Sequence, residues 1–532
     1  MLNRRSAIAS GVLAGAAVFM EPLRGAGVAA AAPRTGGGPA LPTIPAVRDV
    51  TTGRAAWRPT AATRIVVAPG AAGRLRGEAR TLAAELVGEG HLDRQPRIVV
   101  TSSNPRPADI ALGIGPVRGT SSPDAYDIVV RSGPAITGHS PAGVYYGTRT
   151  LLQVLRQQRT FSGRITDWPS YAQRGLMVDV GRKYFTVDWL KDRIRELGWL
   201  KLNVLQLHLS DSLGFRIESE SHPEVTTRPA LSKAQVRELL ALAEQHHVTI
   251  VPEIDSPGHM VSILQAHPEL QLVRKDGTRD PGNLDYSKPR ARRLMRDLLT
   301  EYAELFPGQW FHLGGDEYFG YPWDSNKITG ENAPQLLEYA REQVGPEATL
   351  LDGFTSYMNE LIGVLAGKGK RAKVWNDHLV PGQGLVELDR RAEVEVWIRW
   401  NEDEPSVEDY VRAGYRVVNR HGDYLYFILA PDQQHETGPK SAQGIYDLWT
   451  PRTFMRKPTE DMVLADGAPM AGSLVSVWCD NPDFQTQQQV SEAVRPWLRA
   501  FGQQMWGSPK PTADYAGFLP LIEAVGDAPH GG

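Results

Sequence analysis

Short apolar runs alternate with longer amphipathic stretches from about residue 168 onward, and this alternation constrains the fold more than any other feature of the chain. Short apolar runs are typical of buried strands, whereas apolar residues that recur every three or four positions are typical of helices. Eight strands alternating with helices over about 340 residues predict an α/β fold, a (β/α)8 TIM barrel with inserted loops. The predicted strands are 175–180, 203–209, 248–254, 309–313, 372–375, 394–398, 416–419 and 473–478. The predicted helices include 187–200, 233–246, 289–306, 334–344 and 355–365, with Thr186 and Ser232 as N-caps of the first two.

The chain divides into five predicted segments. Residues 1–32 are interpreted as an export signal peptide, because Arg4 and Arg5 precede a weakly apolar stretch and a run of small residues. The paired arginines fit a twin-arginine signal and an ordinary signal equally well, and either one predicts a secreted protein. Mixed strands and helices ahead of the barrel predict a small α+β domain. The other boundaries are a linker at 33–45, the small domain at 46–167, the barrel at 168–510 and a C-terminal tail at 511–532.

Composition excludes several classes of partner. With 58 basic and 61 acidic residues and a net charge of −3, the chain is not expected to bind nucleic acid or an anionic membrane surface. Past the signal, no stretch approaches the ~20 apolar residues that a membrane span requires. The single cysteine, Cys479, excludes an intramolecular disulfide and a cysteine-based metal cluster. The chain contains thirteen Trp. Trp rings that are not part of the core can stack on the apolar faces of sugars, so this number favours a carbohydrate partner.

Polar and aromatic side chains lie at or near the ends of the predicted strands. In a (β/α)8 barrel, the functional residues are found at the carboxyl ends of the strands. Two interpretations are open, glycosidic bond chemistry and a metal site built on His208 with Asp211 or on Asp255 with His259. The aromatic residues and the lack of a His-Glu-x-x-His pattern favour a neutral ligand, so no metal and no cofactor is expected. In strand order the residues are Arg174 and Asp179; His208 and Asp211; Glu253, Asp255 and His259; Asp316 and Glu317; Trp375, Asn376 and Asp377; Trp397; Tyr424 and Tyr426; Trp478 and Asp480.

Two adjacent acids follow the fourth predicted strand in the tetrad Gly314-Gly315-Asp316-Glu317. Neighbouring strand residues point in opposite directions, so we expect Asp316 and Glu317 to contact different parts of one ligand. The two glycines allow a ligand to approach the backbone closely. Most glycosidases place two carboxylates on opposite sides of the scissile bond. Adjacent acids do not easily take those positions, and one solution is that the substrate supplies the nucleophile.

Four stretches together resemble glycoside hydrolase family 20, the β-N-acetylhexosaminidases; they are 174–179, 201–211, 252–259 and 312–317. The resemblance covers about residues 170 to 500, and residues 143–153 resemble the end of the small domain that precedes the barrel in this family. It implies a retaining exo-glycosidase that removes terminal β-linked N-acetylhexosamine by substrate-assisted catalysis through an oxazolinium intermediate. The implied partners are oligosaccharides or glycans that carry β-linked GlcNAc or GalNAc.

The resemblance also implies a role for each site residue. Glu317 would be the general acid and base, and Asp316 would accept a hydrogen bond from the acetamido N–H. Tyr424 would bind the acetamido oxygen, with Tyr426 as the alternative if the strand register differs. The remaining roles are pocket walls for Trp375, Trp397 and Trp478, hydroxyl binding for Arg174 and Asp480, and support of Glu317 by Asp211 and His259 together with Asp255 and His208.

Two departures from the family pattern leave the specificity open. Many members have Asp-Asp-Gln-Gly-Trp where this chain has residues 211–215, and many have Trp-x-Glu where this chain has Trp478-Cys479-Asp480. Such variants resemble the lacto-N-biosidase and biofilm-polysaccharide hydrolase branches of the family. The alternatives are therefore a lacto-N-biosidase, a hydrolase of β-linked GlcNAc polymers and a non-catalytic carbohydrate-binding protein.

Overall fold

The computed structural model describes residues 41–52, 57–159, 162–321, 323–457 and 459–529 of the chain. The predicted signal at 1–32 and most of the predicted linker lie outside these ranges. The rest of that linker is packed: Ile44 is buried, and its backbone N–H donates to Gln153 Oε1 at 2.9 Å. The N–H of Ala46 donates to Gln503 Oε1 at 2.8 Å. This segment therefore joins the small domain to the last barrel helix and is not a free spacer.

The small N-terminal domain combines one sheet with two helices, as an α+β domain should. Its elements are β1 (Asp49–Thr52), β2 (Arg64–Val67), α1 (Ala72–Gly88), β3 (Arg97–Val100), β4 (Ile110–Ile114), β5 (Tyr126–Val130), β6 (Pro134–Gly138), α2 (Pro141–Arg156) and β7 (Gly163–Asp167). The seven strands form a mixed sheet in the order β1-β7-β5-β6-β4-β2-β3. Helix α2 begins at Ser140, whose hydroxyl accepts from the N–H of Gly143. A Cβ on Gly143 would lie 2.2 Å from the carbonyl oxygen of Ala125, so only glycine permits this close helix-to-sheet packing.

In the described part of the second domain there are fifteen strands. They are β8 (Gln173–Asp179), β9 (Val204–His208), β10 (Ser210–Asp211), β11 (Gly214–Phe215), β12 (Thr249–Glu253), β13 (Gln271–Val273), β14 (Arg279–Leu284), β15 (Trp310–His312), β16 (Arg371–Trp375), β17 (Glu393–Val396), β18 (Arg416–Asn419), β19 (Tyr426–Ile428), β20 (Thr453–Phe454), β21 (Met462–Val463) and β22 (Met470–Trp478). Parallel pairing runs through β8, β9, β12, β15, β16, β17 and β18, and β22 closes the ring between β18 and β8. The predicted TIM barrel is confirmed. Each predicted strand overlaps one of the eight strand positions around the barrel, which we call its staves.

The seventh stave is broken into two short strands that share one neighbour. Strand β18 pairs with the first part of β22, at Asn419 opposite Ser473, and β19 pairs with its last part, at Tyr426 opposite Ser476. Residues 420–425 connect the two and belong to neither strand. The break separates Tyr424, in the connection, from Tyr426, in a strand.

Helices surround the barrel between its strands. They are α3 (Val187–Trp199), α4 (Lys233–Gln245), α5 (Val261–Ala266), α6 (Pro289–Leu305), α7 (Pro334–Gln343), α8 (Leu350–Gly367), α9 (Val407–Arg412), α10 (Ala442–Asp447), α11 (Gln487–Trp506) and α12 (Tyr515–Val525). The predicted caps are confirmed: the Thr186 side chain accepts from Trp189 N–H, and Ser232 forms a capping box with Gln235. The segment 511–532, predicted as a tail, contains α12, which buries Phe518. Among the described residues, no helix is long and apolar enough to cross a membrane.

Candidate active site

The two adjacent acids lie in the loop after β15, at the carboxyl end of the barrel. Gly314 and Gly315 have φ values of 77° and 101°, and Glu317 itself has φ 55°, a left-handed conformation that is uncommon for a residue with a side chain. A Cβ on Gly314 would lie 1.8 Å from Asp255 Oδ1, so the loop requires glycine there. The N–H of Gly315 donates to the same oxygen at 3.2 Å. Asp255 therefore fixes the backbone that positions both acids.

His259 connects the two acids to a third carboxylate. Its Nε2 lies 3.2 Å from Glu317 Oε2 and 3.6 Å from Asp316 Oδ2, and its Nδ1 lies 3.5 Å from Asp211 Oδ1. Burial alone would lower the pKa of His259, but the charges of Asp211 and Asp316 outweigh it and raise that pKa well above its usual value. These contacts therefore favour the cationic form of the imidazole between the acids.

The same chain of contacts continues below the site. His208 Nε2 lies 2.9 Å from Asp211 Oδ2, and His208 Nδ1 lies 3.0 Å from Glu253 Oε2. The other Glu253 oxygen accepts from the indole N–H of Trp375 at 3.0 Å. Although burial opposes charge on His208, the charge of Glu253 and the hydrogen bonds to Asp211 and Glu253 raise the pKa of His208 to about 10. A largely buried ionic chain thus links Glu317 to the Trp375 ring.

An aromatic box lies beside this chain, and we define it as Trp375, Trp397, Tyr426 and Trp478. The rings of Trp397 and Tyr426 are parallel within 5° with 5.8 Å between centroids. Trp478 lies 5.7 Å from Tyr426 and 6.1 Å from Trp375, again between ring centroids. All four belong to one buried apolar cluster. Such a box suits the apolar faces of a small neutral ligand, and the Tyr426 hydroxyl adds a polar group.

Tyr424 does not join the aromatic box. It packs against His421 with 4.9 Å between ring centroids, in the connection between β18 and β19. Burial raises the pKa of Tyr424, and the charges of Asp461 and Asp423 add to the rise, so its surroundings are acidic. The geometry favours Tyr426, the alternative, as the tyrosine of the site. The signal for the break is the polar run Arg420-His421-Gly422-Asp423, which interrupts the apolar pattern.

Arg174 lies at the wrong end of the barrel for the predicted role. It is fully buried at the start of β8, where it donates to the Lys201 carbonyl oxygen at 3.1 Å and 3.0 Å and to Asp124 Oδ2 at 3.0 Å. Because Asp124 belongs to the small domain, Arg174 fastens that domain to the base of the barrel.

The arginine at the site is Arg182, which sequence reasoning missed. Its guanidinium lies 2.7 Å from Asp179 Oδ2, 2.7 Å from Asp211 Oδ2 and 3.9 Å from Asp480 Oδ1. It follows the carboxyl end of β8 by three residues. The rule that a barrel carries its chemistry at the carboxyl ends of its strands would have selected it over Arg174.

Two further groups belong to the site: Tyr321, which the sequence prediction missed, and Asp377, which it named at the end of the fifth strand without a role. The Tyr321 hydroxyl donates to Glu317 Oε1. Asp377 Oδ2 accepts from the Trp397 indole N–H at 2.7 Å. Burial and the charge of Asp316 raise the pKa of Asp377 well above its usual value, so this carboxyl is favoured in its neutral form next to the acidic pair. Tyr321 lies on a loop without periodic structure, where only its position four residues after Glu317 offered a signal.

The site opens into a cleft with a volume of about 680 Å³. Arg182, Glu317 and Asp480 line one side of it, and Arg274 and Asp280 of the β13–β14 hairpin line the other. A second cavity of about 440 Å³, lined by Tyr321 and Trp400 among others, lies on the side of the loops after β15, β16 and β17. The cleft therefore gives a ligand access to Glu317.

Two sets of side chains at this site lie close enough to share an ion. They are His208, Glu253 and Asp255, and Asp211, Asp255 and His259. The chain of acids and imidazoles that ends at Glu317 also suits proton transfer to a ligand in the cleft.

Comparison with known proteins agrees with this geometry. Residues 171–509 match the description "Glycosyl hydrolase family 20, catalytic domain", and residues 40–168 match "Glycosyl hydrolase family 20, domain 2". The chain is similar to a lacto-N-biosidase of Bifidobacterium bifidum (28% identity over 490 residues, 91% of this chain and 41% of that protein). It is also similar to a beta-N-acetylhexosaminidase of Cellulomonas fimi (27% identity, 65% of this chain and 66% of that protein). It thus spans less than two thirds of the length of either relative.

Solved structures share the same fold. A Streptomyces plicatus beta-hexosaminidase mutant in complex with its product GlcNAc superposes with a TM-score of 0.69 at 24% identity and covers 92% of this chain and 94% of its own. A family 20 beta-N-acetylhexosaminidase of Streptomyces coelicolor gives a TM-score of 0.69 at 24% identity, over 92% of this chain and 97% of its own. A barrel ending in paired acids, preceded by the matching small domain, defines a class of glycoside hydrolases. This chain belongs to glycosyl hydrolase family 20.

Proposed function

We propose that this protein is a secreted retaining exo-glycosidase that hydrolyses terminal β-linked N-acetylhexosamine. The observation that carries the proposal is that Asp316 and Glu317 both contact His259, beside the aromatic box. His259 Nε2 lies within 3.6 Å of both carboxylates, so the acids meet at one imidazole nitrogen instead of facing each other across a sugar. An enzyme with this arrangement needs a nucleophile from elsewhere, and the 2-acetamido group of the sugar supplies one.

In the proposed first step, the acetamido carbonyl oxygen attacks the anomeric carbon as the glycosidic bond breaks. The bonding electron pair goes to the leaving oxygen, which takes the proton of Glu317. Asp316 accepts a hydrogen bond from the acetamido N–H and stabilises the positive charge of the oxazolinium ion. The Tyr426 hydroxyl donates to the acetamido oxygen and holds it below the anomeric carbon. The walls of the aromatic box exclude water from the acetamido methyl group.

In the second step, Glu317 removes a proton from water, and the water oxygen forms a bond to the anomeric carbon. The bond between that carbon and the acetamido oxygen breaks, which restores the acetamido group. Two displacements on opposite faces retain the β configuration. Arg182 and Asp480, close to each other in the cleft, are suited to binding the hydroxyls of the same sugar.

Hydrolysis of paired aryl glycosides tests the proposal. The wild type should hydrolyse an aryl β-N-acetylglucosaminide and leave the matching β-glucoside intact, because the glucoside lacks the acetamido nucleophile. Glu317→Gln should lose the activity and still bind the product GlcNAc, whereas a protein that only binds carbohydrate would hydrolyse neither compound. Equal turnover of both glycosides, or full activity of Glu317→Gln, would contradict the proposal.

The cleft supports a second candidate within the family, the release of a disaccharide. The space continues from Arg182 and Asp480 toward the β13–β14 hairpin, with a volume of about 680 Å³. Similarity to a lacto-N-biosidase over 91% of the chain also supports release of a disaccharide. Product analysis with chitooligosaccharides and lacto-N-tetraose separates the candidates. A monosaccharide supports the first, a disaccharide the second, and internal fragments the polymer hydrolase.

Secretion is part of the proposal and rests on residues 1–32 alone. Arg4 and Arg5 followed by the weakly apolar stretch support export. Fractionation of the native host, with N-terminal sequencing of the mature protein, tests it. Export predicts a shortened chain outside the cytoplasm, and replacement of both arginines by lysine should block export only if the signal is of the twin-arginine type.

A further inference from the structure

The tripeptide His-Pro-Glu occurs twice among the barrel loops, at residues 222–224 and 267–269. In both copies the histidine immediately precedes a short 3-10 helix, Pro223–Val225 in the first and Pro268–Leu270 in the second. The two imidazole rings pack edge to face, with 6.0 Å between centroids and 82° between planes. Two distant segments therefore bring nitrogen donors and carboxylates together at one place, away from the catalytic acids.

One carboxylate oxygen lies between the two rings. Glu224 Oε1 is 3.0 Å from His222 Nδ1 and 2.9 Å from His267 Nε2. The ligand atoms of the three residues all lie within 4.8 Å of one another. Tetrahedral Zn²⁺ with bonds of about 2.0–2.2 Å needs neighbouring ligand atoms about 3.3 Å apart. The two nitrogen-to-oxygen distances are already near this spacing, so adjustment of the side chains would produce three of the four ligand positions.

The other nitrogen of each ring also faces a carboxylate. His222 Nε2 lies 3.4 Å from Asp297 Oδ2, on α6, and His267 Nδ1 lies 3.7 Å from Glu269 Oε1. In metal sites, the non-coordinating N–H of a histidine characteristically donates to a carboxylate, which fixes the ring orientation and the tautomer. This second set of carboxylates is independent of the three ligands and points to the same ligand chemistry.

We propose that His222, Glu224 and His267 bind one Zn²⁺ ion, with water as the fourth ligand. The side chains are 20%, 43% and 13% exposed, so both the ion and a water molecule have access. Two imidazoles and one carboxylate select Zn²⁺ over Mg²⁺ and Ca²⁺, which prefer oxygen ligands. The ion would fasten the segment after β11 to the segment that leads into the β13–β14 hairpin, one wall of the cleft.

Calorimetric titration of the full chain, purified without a histidine tag and treated with EDTA, tests the proposal. The wild type should bind one Zn²⁺ per chain and should not bind Mg²⁺ or Ca²⁺ at the same concentration. Asp297→Asn, which keeps every ligand, should weaken Zn²⁺ binding about 10-fold. His267→Ala should abolish it, and the exposed His435→Ala should leave it unchanged. Zn²⁺ should raise the Tm of the wild type and not that of His267→Ala.

Several outcomes would overturn the proposal. They are no Zn²⁺ binding by the wild type, equal binding by wild type and Asp297→Asn, or binding that survives in His267→Ala. Stoichiometric Zn²⁺ that inhibits hydrolysis, also in His267→Ala, would place the ion on the catalytic carboxylates instead. If His267→Ala does not fold, the Asp297→Asn comparison decides the question, because it removes no ligand. The proposal does not depend on the glycosidase assignment.

Discussion

The imidazole of His259 lies against the carboxylate of Glu317, with 3.2 Å between Nε2 and Oε2. On its other side, His259 Nδ1 lies 3.5 Å from Asp211 Oδ1. The three groups form one unit, because the ring orientation that serves Glu317 is held by Asp211. Groups that act as a unit show losses that do not add when they are removed together.

His259→Asn and Asp211→Asn should each lower kcat by about 10- to 100-fold, with KM changed less, because they disturb the proton transfer of Glu317 and not the pocket. The double variant should be no slower than the slower single variant. Steady-state kinetics of the three proteins on an aryl β-N-acetylglucosaminide provide the measurement. Losses that multiply would show that the two residues act separately.

Tyr426→Phe and Tyr424→Phe form a matched pair that differs by two positions in the chain. Tyr426 stacks on Trp397, whereas Tyr424 packs on His421 outside the box. Loss of a hydroxyl that stabilises developing charge costs about 100-fold in kcat, so Tyr426→Phe should fall by that amount. Tyr424→Phe should stay within about two-fold of the wild type. A larger loss for Tyr424→Phe would reverse the assignment.

Arg182 and Arg174 form a second matched pair at opposite ends of β8. Arg182→Lys should raise KM about 10-fold or more, because lysine cannot reproduce the planar fork that reaches both Asp179 and Asp211. Arg174→Lys should leave KM within about two-fold and lower Tm, because Arg174 holds Asp124 and the Lys201 carbonyl at the domain junction. Kinetics and thermal unfolding of both variants separate the two roles. A raised KM for Arg174→Lys would argue against a purely structural role for Arg174.

The pKa of His208 predicts how stability depends on pH. That pKa is about 10 in the folded protein, whereas histidine in an unfolded chain titrates near 6.5. The folded protein keeps a proton that the unfolded chain releases, so the contribution is complete below about pH 6.5 and declines as pH rises toward 10. Urea unfolding at a series of pH values should show stability falling across this window. His208→Asn should have a shallower slope.

The strand-end rule places most of the predicted site residues at one end of the barrel for a physical reason. In a parallel barrel every strand delivers its last residues to the same face, so one apolar pattern places eight loops at once. Asp211, His259, Asp316, Glu317 and the three predicted tryptophans all follow carboxyl ends, and the structure brings them together. The predicted core of the site needed no information about loop geometry.

The structure departs from the prediction at residues that do not end a strand. Arg174 begins its strand, so it lies at the base of the barrel. Tyr424 lies in the connection at 420–425, whose polar run Arg420-His421-Gly422-Asp423 interrupts the seventh stave. Tyr321 meets Glu317 through a loop whose course depends on tertiary packing.

The central claim is that the nucleophile belongs to the sugar, and substitution of the acetamido group tests it most directly. Aryl β-glucosaminides that carry N-acetyl, N-fluoroacetyl, N-difluoroacetyl and N-trifluoroacetyl groups have progressively less nucleophilic carbonyl oxygens. The account predicts that kcat/KM falls steeply and steadily along this series, by well over about 10-fold from first to last, which corresponds to more than about 1.4 kcal/mol in the barrier. A flat series, with all four compounds hydrolysed at similar rates, would show that a group of the protein attacks the anomeric carbon and would contradict the assignment of Asp316 and Glu317.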